Sequence, residues 1–274
     1  MTVQEALKKA EEELKDIPEP RLDAEYLLSA VLGMSRLQML LEKGRALTEG
    51  EALLFFRLTK RRKTREPLQY ILGEQPFMGF SFRVDPRALI PRFDTEALCE
   101  EALLHIHPGS RVLDLCTGTG ALAVAIKKLC PDAEVTAADI SGEALSLARE
   151  NAEALGAHVR FAQGDLFAPL AGEAYDVIVS NPPYIPDSLR GKLQAEVERE
   201  PALALFGGAD GLDFYRRIVG ESPDYLTNGG WLCLEIGDGQ GDKVAALMEC
   251  AFDRIAVGND LSGLPRVVRG RKKP

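Results

Sequence analysis

Over the first seventy or so residues apolar side chains recur three and four positions apart, and the two-residue alternation of a strand is almost absent. Leu7, Leu14, Tyr26, Leu27 and Leu28 supply core-facing positions, as do Leu53, Leu54 and Leu58 further on. Thr2 with Glu5, and Thr48 with Glu51, have capping-box spacing just ahead of such runs. With Pro18, Pro20, Gly33 and Gly44 as punctuation, residues 1–74 are expected to form a bundle of four or five short helices. Between 75 and 93 the period changes to two. Phe77, Phe80 and Phe82 surround a glycine turn, and Pro86 and Pro91 interrupt the residues beyond it, which predicts a hairpin and an extended linker. From 94 to 274 strand and helix patterns alternate. Strands are expected at 111–116, 134–139, 159–163, 176–181, 230–236, 253–257 and 266–269, with helices at 121–129, 142–155, 212–220 and 240–250. That order predicts an α/β fold with a Rossmann-like parallel sheet of about seven strands and helices on both faces.

Charge narrows the function classes. With 33 basic against 42 acidic side chains and a net charge of -9, the chain is poorly suited to wrapping nucleic acid. No apolar run approaches the roughly 20 residues of a membrane span, and the N-terminal segment lacks a signal-peptide pattern, so a cytoplasmic location is expected. Cys99, Cys116, Cys130, Cys233 and Cys250 are scattered without CxxC spacing, which fits a reducing compartment. His105, His107 and His158 have no carboxylate partners at ligand spacing, and no metal site is expected. The basic run Lys60–Lys63 with Arg65 reads as a solvated helix face, with an acidic protein surface or ribosomal RNA as alternatives. Trp231 is expected to pack in the core.

Two segments carry chemistry. The first long strand runs into Asp114-Leu115-Cys116-Thr117-Gly118-Thr119-Gly120 and then an apolar helix. In a doubly wound sheet this is where a nucleotide sits, and glycines let backbone N–H groups approach it. Asp139, at the end of the next strand, is placed to accept hydrogen bonds from a ribose. Gly118, Gly120 and Ala123 also satisfy a dinucleotide fingerprint, which leaves a nicotinamide enzyme open, as it does a ligand-free turn. The fourth strand ends in Asn181-Pro182-Pro183-Tyr184. Two prolines donate no hydrogen bond and have fixed φ, Asn181 adds a carbonyl oxygen, and Tyr184 offers a flat wall. Such a corner suits a planar amino group: its two hydrogens are held by acceptors while its nitrogen is aimed at an electrophilic methyl group. A plain strand-ending turn is the competing explanation.

These residues resemble the class I S-adenosylmethionine-dependent methyltransferases, and more narrowly the HemK/PrmC family of release factor glutamine methyltransferases. The likeness spans nearly the whole chain. It includes Arg65 to Gly73, Leu89-Ile90-Pro91-Arg92 with Asp94-Thr95-Glu96, and the segment Ser180 to Ile185. It continues through Gly207-Gly208, Asp210-Gly211-Leu212-Asp213-Phe214-Tyr215, Leu234-Glu235-Ile236-Gly237 and Gln240-Gly241. The resemblance implies S-adenosyl-L-methionine as methyl donor, S-adenosyl-L-homocysteine as product, and a release factor as protein substrate. It places Cys116, Thr117, Gly118, Thr119 and Gly120 under the methionine moiety, Asp139 at the ribose, and Asp165 with Leu166 at the adenine. By the same resemblance Asn181 is expected to touch both cofactor and substrate, and Pro182, Pro183 and Tyr184 to complete the glutamine pocket. The resemblance also implies that the helical segment 1–74 helps engage the partner protein, and the enzyme is expected to act as a monomer without metal, membrane or nucleic-acid contact. Cys116 stands where the family has glycine, so its φ is expected to be negative, and Phe93 replaces a linker proline. The alternatives are a glutamine methyltransferase of a ribosomal protein, a nucleic-acid amino-methyltransferase, a non-catalytic cofactor-binding module and a nicotinamide oxidoreductase.

Overall fold

Five helices build the first of two units in the computed structural model, which describes all 274 residues. They are α1 (Val3–Glu13), α2 (Pro20–Leu32), α3 (Arg36–Leu41), α4 (Glu49–Lys63) and α5 (Leu68–Leu72); residues 194–199 belong to the same unit. Thr2, Ser35 and Thr48 each close a complete capping box, so three helix starts are satisfied by local side chains. Leu7, Leu14, Leu27, Leu28 and Phe55 are buried together. Tyr26 and Leu53, expected in that core, are 40% and 74% exposed. The inward stripe of α4 is Phe55, Thr59 and Arg62, spaced by four and three, which turns Leu53 to the opposite side.

The same stripe corrects the picture of the basic run. Arg62 is only 5% exposed. It pairs with Asp23 at 2.6 Å and Glu196 at 2.7 Å, and Arg65 reaches Glu196 at 2.7 Å. Burial raises the Asp23 pKa against the pull of Arg62. Removing the cation therefore strands Asp23 and leaves Glu196 with Arg65 alone: Arg62→Met is expected to lower stability by about 3 kcal/mol, whereas Lys60→Met should stay within about 0.5 kcal/mol. Urea midpoints compared at constant m-value check this.

The second unit comprises residues 74–193 and 200–274. It opens with an antiparallel hairpin, β1 (Glu74–Phe77) and β2 (Phe80–Arg83), followed by α6 (Asp94–Leu103). Phe93, at the cap of α6, holds φ -62°, close to the value a proline would impose. A seven-stranded sheet follows, assembled from β3 (Arg111–Leu115), β4 (Glu134–Asp139), β5 (Arg160–Gln163), β6 (Tyr175–Ser180), β7 (Leu226–Glu235), β8 (Phe252–Asn259) and β9 (Pro265–Lys272). Helices α7 (Ala121–Leu129), α8 (Gly142–Ala154), α9 (Asp213–Tyr225) and α10 (Gly241–Met248) connect them.

The order is β5-β4-β3-β6-β7-β9-β8. The first five of these strands are parallel, but β9 lies antiparallel between β7 and β8, so the sheet is mixed rather than wholly parallel. Residues 260–264 join β8 to β9, far fewer than the dozen or so a parallel crossover requires. Alternation along the strands fills both faces. Val112, Val135, Val177 and Cys233 face one core, and Leu113, Leu115, Ile178 and Leu232 the other. Trp231 is only half-buried and stacks on His105 at 3.9 Å, and His105 does have a carboxylate partner, Glu101 at 2.9 Å. No helix is long and apolar enough to cross a membrane. The sheet order reverses between β3 and β6, which opens a crevice at their carboxyl ends.

Candidate functional site

A cavity of about 270 Å³ occupies that crevice. Its floor is the turn after β3, which makes left-handed steps at Cys116 (φ 59°), Gly118 (φ 55°) and Gly120 (φ 77°). The positive φ at Cys116 corrects the expectation of a negative one. The turn brings the Gly118 N–H to Asp139 Oδ2 at 2.9 Å and the Thr117 N–H to the Ala138 carbonyl at 3.1 Å, and a side chain at 116 accepts local strain to allow it. Burial pushes the Cys116 thiol well above its usual range, so it is not a nucleophile.

Asp139 is held twice, since Oδ1 also accepts from the Ser141 N–H at 2.9 Å; burial raises its pKa against those bonds. Asp114 lies fully buried beneath the turn. Its Oδ2 accepts from the Thr117 hydroxyl at 2.5 Å and the Ala123 N–H at 3.2 Å, and burial pushes the carboxyl up to about 7.

The opposite wall is the corner after β6. Asn181 Nδ2 donates to Thr95 Oγ1 at 3.2 Å, which turns the amide oxygen away from Thr95. Neither the Pro182 nor the Pro183 carbonyl accepts a backbone hydrogen bond. The residues just beyond them are braced instead. The Ile185 N–H donates to the Leu205 carbonyl, Gly207 to Ile185, and Asp187 to Gly208, each at 2.9 Å. Gln240 uses its whole carboxamide: Nε2 donates to the carbonyls of Tyr184 at 3.0 Å and Gly211 at 3.4 Å, while Oε1 accepts from the Gly237 N–H at 2.9 Å and the Tyr215 hydroxyl at 3.4 Å. A Cβ on Gly207 would collide with the Pro183 carbonyl oxygen, and one on Gly211 with that of Tyr184. The glycines of 207–211 are thus demanded by close backbone approach to the corner.

Of the residues expected at the site, Cys116, Thr117, Gly118, Thr119, Asp139, Asp165, Leu166, Asn181 and Pro183 line one cavity. Gly120, Pro182 and Tyr184 do not line it. Gly120 packs on Ala148, and the Tyr184 hydroxyl donates to Glu235 Oε1 at 3.3 Å. Asp165 is paired with Arg217 at 2.8 Å. Sequence reasoning gave no role to Thr95, Arg92, Asp114, Phe214 or Arg217, which also line the cavity. The i, i+3 spacing of Phe214 and Arg217 on α9 was the available signal for one pair. Arg92 is held by Glu200, whose other oxygen accepts from the Ile90 N–H at 2.9 Å, a partner more than a hundred residues away that no local pattern reveals.

The brace can be checked directly. Gly211→Ala combines a φ of 75° with a backbone collision and is expected to cost about 2 kcal/mol or more. Gly50→Ala, in open space on α4, should be neutral or stabilising by up to about 1 kcal/mol. Thermal unfolding of the two variants beside the parent distinguishes them.

Comparison with known proteins gives consistent results across both units. Residues 5–73 match the family model described as PrmC N-terminal domain, and residues 93–196 that described as Methyltransferase small domain. The chain is 46% identical over 259 residues to a release factor glutamine methyltransferase of Geobacter sulfurreducens, covering 94% of this chain and 91% of that protein. It is 43% identical to the protein of that name from Deinococcus radiodurans, covering 93% and 92%. A crystal structure of a methyltransferase from Pyrococcus furiosus superposes with a TM-score of 0.56 at 19% identity, covering 72% of this chain and 90% of that one, and so shares the fold.

Proposed function

The chain belongs to the release factor glutamine methyltransferase family, and on that premise we propose that it transfers a methyl group from S-adenosyl-L-methionine to the side-chain amide nitrogen of the glutamine in the Gly-Gly-Gln motif of a peptide chain release factor. The observation that carries this reading is the sharing of one cavity by Asp139, the glycine turn, Asn181 and Pro183.

The residues fit the methyl donor. Nothing lies within 4 Å of where a Cβ of Gly118 would be, so the turn leaves open space above its backbone. Asp139 offers a fixed carboxylate for ribose hydroxyls, and Asp165 with Leu166 stands further along the wall. When bound, the donor supplies an electrophilic methyl group on a sulfonium. The chain's own part is to bind and aim. The Asn181 oxygen and one free proline carbonyl of the corner accept the two hydrogens of the substrate carboxamide, and Tyr184 fixes the end of the corner. An amide nitrogen is a weak nucleophile because its lone pair is delocalised. Holding its hydrogens directs that lone pair into the cavity, and positive charge developing on nitrogen meets acceptor dipoles already in place. The reading needs no strong base and no metal, with S-adenosyl-L-homocysteine as product, a monomer acting in the cytoplasm, and residues 1–74 engaging the release factor.

Incubation with methyl-labelled donor and, separately, release factor, ribosomal protein and adenine-rich duplex tests it. Label is expected on the release factor glutamine; label on nucleic acid alone would refute the assignment. Asn181→Ala is expected to lower kcat about a hundredfold. Asp139→Ala should weaken donor binding about tenfold or more in a calorimetric titration, with a smaller effect on kcat at saturation.

A further inference from the structure

Asn181 can present either end of its carboxamide to the cavity, and only the oxygen suits an amino group. Its partner Thr95 does not decide the matter by itself, because a hydroxyl both donates and accepts. The group beyond Thr95 does. Glu235, at the end of β7, is 1% exposed, with Oε1 accepting from the Tyr184 hydroxyl and Oε2 buried without a partner of good geometry. It is an acceptor with capacity to spare, and the Thr95 hydroxyl is the neighbouring donor that favours its ionised form.

We infer that Glu235 and Thr95 act in series as positioning residues that decide which end of the Asn181 carboxamide faces the cavity; this rests on the reaction proposed above. An ionised carboxylate can only accept, so it claims the Thr95 hydrogen. That leaves a Thr95 lone pair for Asn181 Nδ2, the 3.2 Å bond observed, and turns Oδ1 toward the substrate. A protonated Glu235 can donate to Thr95, which frees the Thr95 hydrogen to attract the Asn181 oxygen. The amide then rotates and offers N–H groups to a substrate that itself carries only N–H there.

The ionisation sits in the working range. Burial pushes Glu235 up to about 7, opposed by the Thr95 hydroxyl, the Arg266 guanidinium and the Tyr184 hydroxyl, and assisted by Asp94. These groups come from α6, β9 and the corner, and Tyr215 of α9 faces the same carboxylate. Because the ionised form is the active one, kcat falls as pH drops through that value. Asp114, also near 7 and lining the cavity, is the competing source of such a limb.

Three variants of the full chain, assayed with donor and release factor, decide. T95V is expected to lower kcat about tenfold or more with the calorimetric Kd for S-adenosyl-L-methionine unchanged, and T95S, which keeps the hydroxyl, should recover most of that loss. E235Q is expected to flatten the acid limb of the kcat profile seen in the parent. Parental kcat in T95V, or a parental acid limb in E235Q, would overturn the inference; if T95V does not fold, E235Q and T95S still decide it. A parent enzyme that places no label on the glutamine would instead overturn the reaction assignment.

Discussion

The chain leaving β6 must keep the carbonyls of residues 182 and 183 out of every hydrogen-bonded ladder, and much of the second unit is arranged to permit it. The ladder stops at Ser180, paired with Leu115 on one side and Leu234 on the other. Two prolines prevent its continuation, since neither has an N–H to give. A corner with so few bonds of its own needs support from elsewhere. Support arrives one residue later, through Tyr184 and Ile185, from the 205–211 segment and from Gln240. Those supports must come very close to the corner without using its carbonyls. Glycine at 207 and 211 is the consequence, and the Gly-Gly and Asp-Gly-Leu motifs are read as a backbone brace rather than as ligands.

The opposite wall obeys a different constraint. Asp114 is buried and Asp139 half-buried at strand ends where charge is expensive, yet their hydrogen bonds come from uncharged donors: the Thr117 hydroxyl and the N–H groups of Ala123, Gly118 and Ser141. Such donors orient a carboxylate without cancelling its field. Arginines at the cavity are already occupied, Arg92 by Glu200 and Arg217 by Asp165. The Asp139 carboxylate is thus left without a paired cation at the cavity, an arrangement that suits a cationic ligand better than an anionic one.

How much of this was legible in the chain depends on the range of each interaction. Strand and helix positions obey local periodicity: β4 and α7 fall at 134–139 and 121–129, and the cofactor turn and the Asn-Pro-Pro-Tyr corner are contiguous motifs. Pairing direction is not local, so the antiparallel insertion of β9 between β7 and β8 escaped. Arg62 escaped for the same reason. Its neighbours in sequence are solvated cations, and only the spacing to Phe55 and Thr59 marks its face as the inner one. Cys116 failed differently. A residue type is only a statistical guide to φ, and here the donor geometry of Gly118 and Thr117 overrides the steric preference of a side chain.

Polarity in a buried network has the same non-local character. Hydroxyls and carboxamides are ambivalent, so a chain made only of them has two self-consistent orientations of nearly equal energy. A single group that can only accept breaks the tie for every other member of the network. Glu235 is separated from Asn181 by more than fifty residues of sequence, and Thr95 by a further eighty-six in the other direction, yet they meet because β7 and β6 are neighbours in the sheet and α6 packs on both. The parallel sheet thus contributes more than a crevice. By ending adjacent strands at one level, it sets an ionisable group beside a neutral one, and lets the charge state of the first fix the direction in which the second points.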